Sequence, residues 1–96
     1  MSFGALGSVM LLELGDVLVS FDAGTTLNHS DIDDAIERHV RGEWGELDSA
    51  SWAWNNIAAE NGYGVVSVHL DRELNPFFVM TNAERDETIV MLPHEY

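Results

Sequence analysis

The sequence has no cysteine and no lysine, only two prolines, and no apolar run longer than four residues. Without cysteine there is neither a disulfide framework nor a thiolate nucleophile or ligand, which suits a reducing compartment and sets the expectation of a cytoplasmic protein. Without a stretch of about 18 apolar residues no bilayer-spanning helix is expected. Met1-Ser2-Phe3-Gly4 lacks the basic residues that open a secretory signal. Four arginines stand against 17 Asp and Glu, a formal net charge of −13. A surface of that sign repels phosphate backbones and anionic lipid, so direct contact with nucleic acid or membrane is not expected; it attracts cationic surfaces. The same charge also serves solubility, although a surface serving solubility alone would intersperse both signs.

What is present is enough for one folded domain spanning residues 1–96. Hydrophobic residues make up 46% of the chain, which separates it from disordered acidic tails. A chain of this length buries about 60–70% of its unfolded surface, enough for one modest core.

Residues 1–7 contain two glycines and read as an arm. Ser8 to Leu14 and Val17 to Phe21 are β-prone runs, and Gly15-Asp16 between them suits a type II′ hairpin turn. Asp22 to Thr26 has turn chemistry. Ser30 is placed to cap a helix whose buried stripe is Ile32, Ile36 and Val40, with Gly42 as its stop. Asp48 is placed to cap a second helix running to about Asn61, stopped by Gly62. Three strands follow: Val65 to Leu70, Phe77 to Thr81 and Glu87 to Leu92, with Pro93 ending the last. The order β-β-α-α-β-β-β predicts an α+β fold, a small antiparallel sheet with two helices packed on one face.

Arg38-His39, then Gly42-Glu43-Trp44-Gly45-Glu46-Leu47-Asp48, Asn55 and Gly62, Thr81-Asn82-Ala83-Glu84-Arg85-Asp86-Glu87-Thr88, and Leu92-Pro93-His94-Glu95-Tyr96 form a spaced series over the last 60 or so residues. In this series the chain resembles a family of small proteins of bacterial plasmids, integrative elements and phages. The family pattern has Asp or Glu beside the Trp-Gly pair and a Leu-Pro-x-Glu-Tyr ending. The first 30 residues depart from it, since the family begins with one strand and a Pro-Gly turn. The resemblance implies a mobile-element setting, in which small acidic proteins counter host defence. Some anti-restriction and anti-CRISPR proteins do so by imitating DNA with carboxylates. No enzymatic activity comes with the resemblance.

Several groups of residues are candidates for contact with a partner. Asp31 with Asp34, and Asp33 with Glu37, stand at i,i+3 and i,i+4 spacing on the first helix, where like charges repel. They read either as a site for a basic partner or, for Asp31, Asp33 and Asp34, as acids favoured by the positive end of the helix dipole. Glu43, Glu46 and Asp48 bracket Trp44, which is either an aromatic anchor with an acidic rim or a plug in the core. Trp54 and Ile57 fall away from the expected core side of the second helix, either as an interface to a target or a second copy, or covered by the N-terminal segment.

No complete catalytic, phosphate-binding or metal-binding motif is present, so neither catalysis nor a cofactor is expected. His29, His39, His69 and His94 form no His-x-x-x-His pair, and His69 with Asp71 supplies two ligands, too few for a metal site. Arg85 is expected to pair with Glu84 or Asp86. These features together predict a binding protein that inhibits a defence complex by occupying its basic groove, or alternatively a homodimer or regulatory subunit encoded by the same kind of element.

Overall fold

The computed structural model describes residues 11–96. Four strands form one sheet: β1 (Asp16–Val19), β2 (Val65–Leu70), β3 (Pro76–Thr81) and β4 (Glu87–Met91). Three helices, α1 (Phe21–Thr26), α2 (His29–Val40) and α3 (Ser49–Glu60), lie between β1 and β2, and a 3-10 turn at Pro93–Glu95 follows β4. The strand order is β1-β4-β3-β2, with β2, β3 and β4 an antiparallel meander.

The α+β class and the last three strands agree with the sequence reading; the N-terminal third does not. β1 pairs parallel with β4, so the sheet is mixed. Of the hairpin expected around Gly15-Asp16, residues 8–10 lie outside the described residues, as does the arm at 1–7. Residues 11–14 are not a strand: Leu12 is buried beside Trp44, and the Leu14 carbonyl accepts a hydrogen bond from Thr88 Oγ1 at 2.8 Å. Gly15 adopts φ +64°, and its missing side chain lets the backbone close on Asp86, whose carbonyl accepts from Asp16 N at 2.9 Å. Its glycine thus serves a parallel docking and not a turn.

The stretch from Phe21 to Thr26 is a short helix where turn chemistry was expected. Ser20 caps it, its side chain accepting from Ala23 N at 3.1 Å, and Ala23 and Leu27 anchor it in the core. The cap of α2 is Asn28, two residues before the expected Ser30. Ile32 is buried and Ile36 partly so, but the stripe also takes in Ala35 and His39. Asp48 caps α3 as expected, its Oδ1 accepting from Ser51 N at 2.7 Å.

All three helices cover the sheet face carrying Val65, Ser67, His69, Phe77, Val79, Thr81, Thr88 and Val90. One apolar cluster joins α1 and α2 to Phe77, Val79 and Val90; the other gathers Leu12, Trp44, Ala58 and Val65. The free edge of β2 is covered twice. Val68 exchanges backbone hydrogen bonds with Trp44 O and Glu46 N, and the Asn55 side chain holds both the carbonyl and the amide of Val66. Burying an edge in this way removes a template for unwanted strand pairing.

Candidate functional site

The residues with the most perturbed protonation lie inside the protein. His39 Nδ1 is 2.7 Å from Ser67 Oγ, and His39 Nε2 is 2.8 Å from Thr81 Oγ1. His69 Nε2 is 2.8 Å from the same Ser67 Oγ, and Thr81 Oγ1 is 2.7 Å from Thr88 Oγ1. With both rings neutral, one end fixes every proton. The Thr88 hydroxyl donates to the Leu14 carbonyl, which can only accept. Thr88 therefore accepts from Thr81, Thr81 from His39 Nε2–H, His39 Nδ1 from Ser67, and Ser67 from His69 Nε2–H. His69 Nδ1 is left as a bare lone pair, buried without a partner. It stands beside Gly45, where a side chain would crowd it.

Burial pushes His39 down to about 3, aided by the positive charge of His69 and Arg85. Burial likewise lowers His69 to about 4, with Arg38 adding to it. Burial thus keeps both imidazoles neutral, and it is a neutral His39 with its proton on Nε2 that lets Nδ1 accept from Ser67. Ser67 and His39 have the spacing of a nucleophile and its base. Both are fully enclosed, His39 edge-on to Trp44 and His69 tilted against Phe77, so the pair is closed to a substrate. It bridges the two apolar clusters.

Trp44, Arg85 and Glu95 are similarly structural. Trp44 is 0% exposed, with its indole N–H donating to Asn56 Oδ1 at 2.8 Å. It is a core plug and unavailable as an anchor for a partner. Arg85, expected to pair with Glu84 or Asp86, instead donates to three carbonyls, of Tyr63 and Asn82 at 2.8 Å and Ala59 at 3.4 Å. It thereby ties the end of α3 to the β3–β4 turn, where a cation meets the negative end of the helix. Glu95 Oε1 accepts from Ser20 Oγ and from Leu92 N, pinning the C-terminal turn beside β1.

The acidic residues separate into three groups. The first is matched by the chain's own arginines. Asp31 takes a two-point contact from Arg72, at 3.0 and 3.1 Å, and those hydrogen bonds hold its carboxyl below the ordinary range. Asp34 pairs with Arg38 at 2.9 Å and Glu37 with Arg41 at 3.5 Å, both at i,i+4. The like-charge pairs of the sequence reading are thus broken up by cations. The second group serves local structure. Hydrogen bonds from Ser51 lower Asp48, the cap of α3. Burial would raise Asp71, but donation from Asn75 and Glu73 around the β2–β3 turn overcomes it. That saturates Asp71 as a partner for His69 in metal binding. The third group, including Asp33, Glu43 and Glu46, is exposed and has no ion pair among the described residues.

Two large apolar side chains are exposed on α3. Trp54 is 63% and Ile57 45% exposed on the outer face of α3. With exposed Ala50 and Ala53 they follow i, i+3, i+4, i+7 spacing, an apolar stripe facing away from the core. Among the described residues, Asp22, His94 and Glu95 are the three side chains that could share a metal ion. His94 Nε2 already lies 3.1 Å from Asp22 Oδ2, so the trio also serves to tie the C-terminal turn to α1.

Comparison of the chain with protein-family models, with curated proteins and with solved structures returns no match. The surface therefore has to speak for itself. It offers a stripe of apolar side chains on α3 and, on the loop that leads into that helix, carboxylates without cations. No described helix is long and apolar enough to cross a membrane.

Proposed function

We propose that the chain is a non-catalytic binding protein that docks the outer face of α3 and the acidic loop before it into a cationic groove of another protein. The observation that carries this reading is the exposure of Trp54 and Ile57 on a helix whose leading loop carries Glu43 and Glu46, exposed and without an ion pair among the described residues. Trp54 and Ile57 supply buried area at the centre of such a contact, Glu43 and Glu46 supply charge pairing at its rim, and exposed Asp33 on α2 adds to long-range steering. The resemblance from Arg38 to Tyr96 supports a mobile-element origin, and with it a host defence complex whose groove otherwise holds DNA or guide RNA. In this reading the acidic loop takes the place of the phosphates. The pairing of Asp31, Asp34 and Glu37 with arginine moves the contact away from the middle of α2.

The test is binding to a purified defence effector at rising salt, with DNA as competitor. Affinity should fall steeply with salt, and Asp33→Lys, Glu43→Lys and Glu46→Lys together should abolish it. Binding that resists salt and survives those reversals contradicts the proposal. The second reading, a homodimer or regulatory subunit, rests on the same Trp54 and Ile57. A dimer in light scattering that Trp54→Ala dissociates would favour it.

A further inference from the structure

The opposite face of the sheet poses a separate question. β3 and β4 are apolar at successive positions, Phe77-Phe78-Val79-Met80 and Ile89-Val90-Met91, a pattern typical of strands covered on both faces. Among the described residues the three helices cover one face only, and on the other Tyr96 packs edge-on against Phe78 at a ring-centroid distance of 5.2 Å. There, strand register aligns Leu18, Ile89, Met80 and Val66 in one row across all four strands, and Met91, Phe78 and Val68 in the next. Leu18 is 47% exposed, and Val66, Met80 and Ile89 are partly exposed. Val66, Met80 and Ile89 line a trough of about 240 Å³ together with Gly64, Glu87 and Met91.

The charge around this face is one-sided. The register sets Asp16 beside Glu87, two positions before Leu18 and Ile89 and so on the same side of the sheet. All four arginines act elsewhere: Arg38, Arg41 and Arg72 on carboxylates of α2, and Arg85 on carbonyls at the end of α3. Among the described residues this apolar face thus has two carboxylates beside it and no arginine.

We propose that this face docks an amphipathic helix of a partner protein, with its apolar stripe along the two rows and its Lys or Arg side chains on Asp16 and Glu87. The surface lies across the sheet from α3, and the proposal stands apart from the function proposed above. Four strands spaced ~4.8 Å apart, with about five residues each rising ~3.3 Å, give a patch of roughly 19 by 17 Å. A helix of about 12 residues is ~18 Å long and ~10 Å wide and fits it. A second copy laid sheet to sheet fits poorly, because the patch falls short of the ~800 Å² per partner of a stable interface. That copy would also bring two further carboxylates and no unengaged guanidinium.

The experiment titrates the full chain into a fluorescein-labelled synthetic peptide with leucine and lysine at amphipathic-helix spacing. Anisotropy reports binding and circular dichroism reports helix formation. Leu18→Glu and Ile89→Glu each add a negative charge, so attraction by charge alone would be unchanged or stronger. Docking on this face predicts a loss of about tenfold or more in affinity. Leu18 lies on an exposed edge strand, and Met80→Thr provides a milder change, with a thermal melt checking that each variant folds. The double change Asp16→Asn, Glu87→Gln should flatten the salt dependence. Trp54→Ser with Ile57→Ser should leave this titration unchanged, which separates it from the test of α3. Peptide binding that is equal or tighter in Leu18→Glu overturns the proposal. So does a dimer of the chain that Leu18→Glu dissociates, since the occupant is then a second copy.

Discussion

His39 and Ser67 are 28 residues apart in sequence, yet His39 Nδ1 accepts the Ser67 hydroxyl at 2.7 Å between the two apolar clusters of the core. That contact joins α2 to β2 within a run of hydrogen bonds whose direction is set where it ends, on the Leu14 carbonyl. Ser67→Ala should leave His39 Nδ1 and the His69 Nε2 proton buried without partners. An unsatisfied buried group costs about 1–3 kcal/mol, so urea denaturation should show a loss of about 2–6 kcal/mol for the two. A loss below about 1 kcal/mol would mean the hydroxyl is not the bridge described here.

The same network sets the response to acid. Both histidines titrate lower in the folded chain, at about 3 and about 4, than their ordinary 6.5. Between those values the unfolded chain binds more protons than the folded one, so stability is fully present above pH 6.5 and falls as the pH drops toward 4 and 3. Each histidine contributes a slope of up to about 1.4 kcal/mol per pH unit. The depressed Asp31, Asp48 and Asp71 act in the same sense at lower pH, their stabilisation being lost as they protonate. Urea midpoints measured from pH 8 to pH 4.5 should fall steadily below about 6.5. A flat profile over that range would contradict neutral, buried imidazoles.

The polar bridge was hidden from the sequence for a physical reason. Ser67 and His69 alternate with Val66 and Val68 as solvent-facing residues of a half-buried strand would. That the sheet turns them inward depends on His39 and Thr81 being there to bond them. By contrast, β2, β3, β4 and α3 were legible, because Asp48 and Gly62 punctuate the helix and the polar turns at 71–75 and 82–86 separate the strands. α1 was not, since Gly24, Thr25 and Thr26 are poor helix formers and six residues seldom hold a helix without the burial of Ala23 and Leu27. Nor was the parallel pairing of β1 with β4, which depends on contacts some 70 residues apart and leaves no local pattern. Helical spacing set Trp54 and Ile57 away from the core but left open whether the N-terminal segment covers them; both are exposed in the structure. The open sheet face had a signal, the unbroken apolar runs of β3 and β4.

Asn55 guards the edge of β2. Asn55→Ala should cost about 1–3 kcal/mol through the unpaired backbone of Val66. It should also raise the tendency to associate, seen as higher mass in light scattering. An Asn55→Ala chain as stable and as monodisperse as the parent would show that the edge needs no clamp.

Arg85 combines a left-handed backbone, φ 61°, with a guanidinium on three carbonyls. Arg85→Ala loses the guanidinium and keeps the backbone strain; Arg85→Gly loses the guanidinium and relieves the strain. Thermal melts should therefore place the glycine variant above the alanine variant by about 1 kcal/mol. The reverse order would remove backbone conformation as a reason for what stands there.

The central proposal, that α3 and its acidic approach bind a cationic partner, is most directly tested by immobilising the full chain and capturing proteins from bacterial lysate. Parent and Trp54→Ser/Ile57→Ser chains are run in parallel at low and high salt, with mass spectrometry of what is retained. The account predicts a nucleic-acid-binding protein held by the parent at low salt, released at high salt and missing from the variant. The same proteins recovered on both chains, at both salts, would contradict it.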